Sequence, residues 1–298
     1  MQTIKSQRIS AIDIIRGVLV VCMILYHAVY CLAAFSVIRL ELYTGFWWWF
    51  PRCIAAGFLV LSGWSLASSR ARGQTFRKAI RRILKLTGLA IGVSVVTYIT
   101  FGLQYFVFFG ILHAIALFSL IAWPIAAPSQ PVSGRHTAVL VIIGRMLLGL
   151  IILTAGLWLG TMRFAFPWLA WLGFRPANLY PVDYEPLLPW LAWFLFGIAL
   201  YEPSLTILTG FNASTAQEHG TEHERRNEKY SKNLAHRNED YHAQKTQQVH
   251  HAQHTTLHHL SRVLSFLGRH SLIIYLVHLP VLYSLSWCLA RGLSLIGR

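Results

Sequence analysis

The sequence predicts an all-α protein: a polytopic transmembrane helical bundle of about seven spans, with a polar cytoplasmic linker before the last span. Three observations carry this prediction. Charged residues make up 12% of the 298 residues, where soluble domains hold about 25%. Apolar runs recur along the chain, several reaching the roughly 20 residues needed to cross about 30 Å of hydrocarbon. Basic residues collect between certain runs, as they do in loops facing the cytoplasm.

The first expected span covers Ala11 to Ala34. It is too long for a secretory apolar region and lacks a small-residue cleavage site, so it reads as a retained span. The second covers Phe46 to Ser68 and the third Ile83 to Thr100. Gly102-Leu103-Gln104 is a tight turn into a fourth, Tyr105 to Trp123. The fifth runs from Ala138 to Leu159, the sixth from Leu187 to Tyr201, and the last from Ser271 to Ala290. The domain reading is 1–202 as spans one to six, 203–262 as a His-rich linker, and 263–298 as the closing span.

Loop charge sets the expected orientation. Arg70, Arg72, Arg77, Lys78, Arg81, Arg82 and Lys85 lie between spans two and three with no acid among them. That connection is expected in the cytoplasm, with the N-terminus (Lys5, Arg8) and the loop of Arg135 and His136 on the same side. The connection from Phe164 to Pro186 then faces outward. Its Trp168, Trp171, Tyr180 and Tyr184 suit a headgroup boundary. Arg291 and Arg298 fall outside as well, against the rule. The formal charge of +15 is read as loop and headgroup charge. No nucleic-acid motif accompanies it, so nucleic acid is not an expected partner.

Asn212 to Thr256 is polar and too poor in apolar residues to fold alone around a core. Histidines crowd the linker from His219 to His259. On a helix, His250, His254 and His258 share one face, a geometry open to a transition metal. An exposed polar linker is the simpler reading, and no metal is expected in the chemistry. Cys22, Cys31, Cys53 and Cys288 lie in or beside apolar runs with no CxxC pair and read as small apolar residues.

Polar groups inside apolar spans are expensive and point to function. Asp13 and Arg16 are three apart, so they share a helical face and can pair. Snorkelling of the pair to the interface explains it equally well. His27 lies about 21 Å past Asp13 along the same helix at 1.5 Å per residue. His113 in the fourth span and His278 in the last are further candidates, each readable alone as a packing hydrogen-bond group. Asp183 and Glu185 sit just before the sixth span. They are either a solvated acidic loop or a pocket mouth for a hydroxylated or amino acceptor.

These residues carry a resemblance. Arg8-Ile-Ser-Ala-Ile-Asp-Ile-Ile-Arg-Gly17, with Met23-Ile-Leu-Tyr-His-Ala28, resembles the opening of bacterial members of the heparan-α-glucosaminide N-acetyltransferase catalytic family. Phe109-Gly-Ile-Leu-His-Ala-Ile115, Asp183-Tyr-Glu-Pro-Leu-Leu-Pro-Trp190 with Phe196-Gly-Ile-Ala199, and Leu267 to Pro280 resemble three further blocks, in family order. Arg16 and His27 are separated by ten residues, a spacing similar to that in the acyltransferase-3 membrane family. The resemblance implies acyl-CoA, acetyl-CoA above all, as cytoplasmic co-substrate and a sugar or glycan acceptor on the outer side. The location implied is the cytoplasmic (inner) membrane. Expected partners are therefore the lipid bilayer, acyl-CoA and the acceptor, with a homodimer left open.

Acyl transfer needs a base for the acceptor, and an imidazole suits that task. His27 is the expected base, with a transient acyl carrier as a lesser alternative. Arg16 and Asp13 are expected to organise the cytoplasmic half of the passage. His113, Asp183, Glu185 and His278 are expected to line the acceptor side. Arg77, Lys78, Arg81 and Arg82 are expected to grip coenzyme A phosphates, though topology-setting charge explains them as well. A proton-coupled transporter or permease of a small solute or lipid is the rival reading. No inverted repeat or matched pair of broken spans supports it.

Overall fold

The computed structural model describes residues 10–103, 105–128, 134–177, 183–204 and 259–296. Lys5, Arg8, Tyr180, Arg298, the linker histidines from His219 to His258, and so the metal geometry considered for His250, His254 and His258, lie outside the described residues. The described chain is helical. It runs α1 (Ser10–Ala34), α2 (Gly45–Ala71), α3 (Phe76–Phe101), α4 (Ile111–Ile121) and α5 (Gly134–Leu159). Then follow α6 (Leu187–Ser204), α7 over 259–269 and α8 (Ser271–Ile296). Six of these are long and apolar enough to cross a membrane. Their outward faces carry bare apolar side chains, such as Ile99 at 77%, Leu140 at 66% and Leu285 at 61% exposure. Such surface suits lipid and not water.

Two expectations change. The fourth span is not full length: α4 has 11 residues, about 16 Å of rise, roughly half the hydrocarbon thickness. The aromatic run before it stays non-helical because other elements satisfy its backbone. Thr97 Oγ1 accepts the Val107 N–H at 3.0 Å and Ser94 Oγ donates to the Val107 carbonyl at 2.6 Å. Glu185 N–H donates to the Phe109 carbonyl at 2.8 Å. Irregular backbone at membrane depth needs this kind of cover. The second change is the basic loop. Arg70 belongs to α2, and Arg77 to Lys85 form the first turns of α3. Long basic side chains are good helix formers and reach the interface along the helix. Likewise α5 begins at Gly134, so Arg135 and His136 are helical.

The described chain divides into two compact units, Met1–Val18 with Glu202–Ser271, and Leu19–Tyr201 with Leu272–Arg298. In the first, α1 and α7 meet backbone to backbone. A Cβ on Gly17 would stand 2.0 Å from the Leu264 carbonyl oxygen, and one on Gly268 1.9 Å from that of Asp13. Small residues at such crossings are how membrane helices approach closely.

In the second unit, α2 and α6 cross in the same way at Gly63 and Gly197. Around this crossing, Leu59, Phe118, Phe194, Leu195 and Ile198 are fully buried. Phe118 of α4 meets Phe194 of α6 edge on, with ring centroids 6.0 Å apart. A second core joins α3, α4 and α8 through Ile83, Leu86, Ala90, Leu112 and Ala116, with Leu272, Tyr275 and Leu276 packed against them. The short α4 is therefore held from both sides, and its N-terminus is placed against the start of α6. All four cysteines are free, Cys31 buried and Cys53 and Cys288 exposed.

Candidate functional site

The strongest cluster lies where α1, α4, α8 and the segment before α6 come together in the second unit. His27 of α1 and His278 of α8 are direct neighbours. His278 Nε2 is 3.1 Å from His27 Nδ1, and the rings meet edge on with centroids 4.8 Å apart. His278 is buried at 6% exposure, while His27 is partly exposed. Both hydrogen bonds of His27 engage Nδ1, the other running to the Met23 carbonyl at 2.9 Å. Its Nε2 takes no hydrogen bond among the described residues. Tyr26, next in sequence, packs its ring on His27 and, from α2, on Trp47 and Phe50.

One turn before His278, Tyr275 donates its hydroxyl to Asp183 Oδ2 at 3.2 Å. The same oxygen accepts the Ile111 N–H at 3.2 Å. Asp183 therefore caps α4, whose first N–H groups have no partner inside the helix. Gly110 makes this possible, since a Cβ there would stand 2.2 Å from Asp183 Oδ2. Glu185 is tied through its own N–H to Phe109, and the Phe109 ring lies 5.5 Å from that of His113. His113 Nε2 faces Ser94 Oγ at 3.3 Å. Tyr184 turns away and donates to the Ala170 carbonyl at 2.7 Å.

The two carboxyls differ in how they are satisfied. Burial pushes the Asp183 carboxyl up, and its two donors pull it part of the way back. Glu185 is raised well above the ordinary range, first by burial and then by the charge of Asp183, with Arg52 opposing. Its Oε2 is buried without a hydrogen-bond partner among the described residues. Arg52 itself stacks over Trp48, 3.3 Å from the ring centroid. An acid raised in the fold contributes stability below the ordinary carboxylate range, and that contribution is lost as pH rises through the raised value. Glu185→Gln is therefore expected to melt at a higher temperature than wild type at about pH 8. The gap should close towards about pH 4. Thermal unfolding in detergent across pH reads this directly.

Arg16 Nη1 donates to Asp13 Oδ1 at 3.1 Å across one turn, in the first unit. Arg77, Lys78, Arg81 and Arg82 are exposed on the first two turns of α3. Among the described residues, no group of three or more His, Cys, Asp or Glu side chains is placed to hold a metal ion. The expectations omitted Tyr275, Tyr26 and Arg52. Tyr275 had a legible signal, since it precedes His278 by three and so shares its helical face. Arg52 offered one as well, an isolated charge inside an aromatic run.

A family model described as heparan-alpha-glucosaminide N-acetyltransferase, catalytic, matches residues 8–221. The match covers well over half of the chain and includes His27, His113, Asp183 and Glu185, but not α8. No curated protein and no solved structure matches the chain.

Proposed function

We propose, from the premise that this chain belongs to the heparan-alpha-glucosaminide N-acetyltransferase catalytic family, that it moves an acetyl or short acyl group from acyl-CoA to a sugar or glycan acceptor across the membrane plane. The donor is taken from the cytoplasm and the acceptor from the opposite side of the inner membrane. The observation that carries the proposal is His27: an imidazole within an apolar span, partly exposed, hydrogen-bonded among the described residues through Nδ1 alone. A base of this kind, oriented by a third group, is what nucleophile activation requires.

In the reaction, an acceptor hydroxyl or amine loses its proton to His27 Nε2 as its oxygen or nitrogen bonds to the thioester carbonyl carbon. The carbon–sulfur bond then breaks, and coenzyme A leaves as the thiol with the proton returned from His27. Glu185 has a carboxyl oxygen unpartnered among the described residues, open to a donor group of the acceptor. A buried acceptor atom left without a partner is costly, so a ligand hydroxyl or ammonium there gains a strong contact. Asp183 and His113 hold the same wall. The role expected for Arg16 and Asp13 rests on the sequence.

Purified protein given acetyl-CoA and glucosamine should release coenzyme A thiol, with acetylated sugar formed in step. Acceptor-independent silence in both channels would argue for the transporter reading. Arg77, Lys78, Arg81 and Arg82 are proposed to hold the coenzyme A phosphates. Exposed charge contacts contribute a few tenths of a kcal/mol each, so replacing all four by glutamine should raise KM for acetyl-CoA about tenfold. The rate at saturation should hold.

A further inference from the structure

We infer that His278 is a positioning residue for His27, accepting its Nδ1–H so that His27 Nε2 is kept as the free base. The inference rests on the acyltransferase reading for its catalytic meaning, but its geometry stands alone. Four contacts fix it. His278 Nδ1 faces the Ile274 carbonyl at 3.0 Å and the Tyr275 carbonyl at 2.8 Å. His27 Nδ1 faces the Met23 carbonyl at 2.9 Å and His278 Nε2 at 3.1 Å.

Carbonyl oxygens only accept, so a ring nitrogen against one must carry the hydrogen. His278 Nδ1 faces two of them and is therefore the protonated nitrogen of its ring. In the neutral imidazole its Nε2 then holds a lone pair. His27 Nδ1 faces a carbonyl and that lone pair, so it too carries the hydrogen and shares it between both. His27 Nε2 is left as the unprotonated nitrogen.

The reverse assignment fails on the same distances. If His278 donated through Nε2 as a neutral ring, its Nδ1 lone pair would point at two carbonyls. The His27 Nδ1 lone pair would point at a third. Protonating His278 fully removes the first two conflicts and keeps the last. It also puts a cation on a side chain with 6% exposure inside an apolar span, which is strongly disfavoured.

This arrangement resembles the logic of a base oriented by a buried third group, with one difference. The third group is neutral, so no bare anion is buried in the membrane. When His27 Nε2 takes the acceptor proton, the positive ring already donates Nδ1–H to a lone pair. Tyr275 anchors this turn of α8 through Asp183, which places the carbonyls that set the tautomer of His278.

The test uses full-length protein in lipid nanodiscs, with His278→Gln and His278→Leu. Glutamine brings an amide oxygen to the reach of Nε2; leucine does not. With acetyl-CoA and glucosamine as the acceptor probe, His278→Leu should lower kcat about 100-fold with KM unchanged, and His278→Gln should recover it to within about tenfold of wild type. Independently of activity, 15N-histidine NMR should show His27 protonated at Nδ1 and bare at Nε2 in wild type and His278→Gln. His278→Leu should show a mixture of tautomers. Wild-type protein with His27 protonated at Nε2, or a His278→Leu enzyme with full kcat, overturns the inference. Loss of transfer in every form, with the expected NMR pattern intact, sinks the acyltransferase reading and leaves the tautomer assignment standing.

Discussion

Replacing His27 by alanine is expected to lower kcat for acetyl transfer by a factor of about 1,000 or more, with the fold kept. The ring is partly exposed, so its removal opens little core. What it removes is Nε2, which takes no hydrogen bond among the described residues and is proposed to take the acceptor proton. General-base removal typically forfeits a factor of about 100 to 10,000. The remaining imidazole is a poor replacement, because His278, whose lone pair is on Nε2, is buried at 6% exposure while the ring it would replace is partly exposed. KM for acetyl-CoA should stay within about twofold, since a group used only in the transition state does not contribute to ground-state binding. Steady-state thiol release with wild-type and His27→Ala protein, matched for unfolding temperature, checks this. Retained kcat would remove His27 from the chemistry.

Substituting Gly63 by valine should unfold the protein or destabilise it by about 3 kcal/mol or more, at the upper end of overpacking costs. The Cβ alone would stand 1.9 Å from the Phe194 carbonyl oxygen. The obstacle is backbone on a packed helix and cannot rotate aside. Gly197 faces the same problem from the other side, with a Cβ 2.0 Å from the Val60 carbonyl oxygen. Helices α2 and α6 would have to part, uncovering Phe194, Leu195 and Ile198, all fully buried. Two comparisons isolate the cause. At Gly57 the atoms nearest a Cβ are the methyl carbons of the Leu19 side chain, at 2.9 Å, and at Gly88 it meets nothing within 4 Å. Gly57→Ala should lower the melting temperature modestly and Gly88→Ala hardly at all. Equal melting temperatures for all three variants would show that this crossing does not limit stability.

The long spans were legible because apolar length is a one-dimensional property, and α6 begins at Leu187 as expected. The fourth was not. Tyr105 to Phe109 is as apolar as a helix, yet its backbone bonds to Ser94, Thr97 and Glu185. Which segment covers a backbone is a tertiary fact that hydropathy does not carry. Of the basic residues, Arg77 to Lys85 lie inside α3 and not in a loop, by helix propensity and reach.

The site shows the same division. His27 and His278 each stood out as an imidazole in an apolar run. Their contact joins positions 251 apart, and nothing local announces it. Asp183 reads from the sequence as a residue of the acceptor side, and its Oδ2 also accepts from the Ile111 N–H at the start of α4 and from Tyr275. Glu185, two residues on, keeps an oxygen unpartnered among the described residues. Distinguishing those two neighbours needed the fold.

The most direct measurement places the purified protein in sealed liposomes, with acetyl-CoA on one face and a glucosamine-terminated oligosaccharide on the other. Mass spectrometry then follows both compartments. Acetylated sugar appearing on its own side, matched one for one by coenzyme A thiol on the opposite side, is the predicted result. Sugar that crosses unmodified, with acetyl-CoA left intact, would contradict the account and return the buried histidines to a transport role.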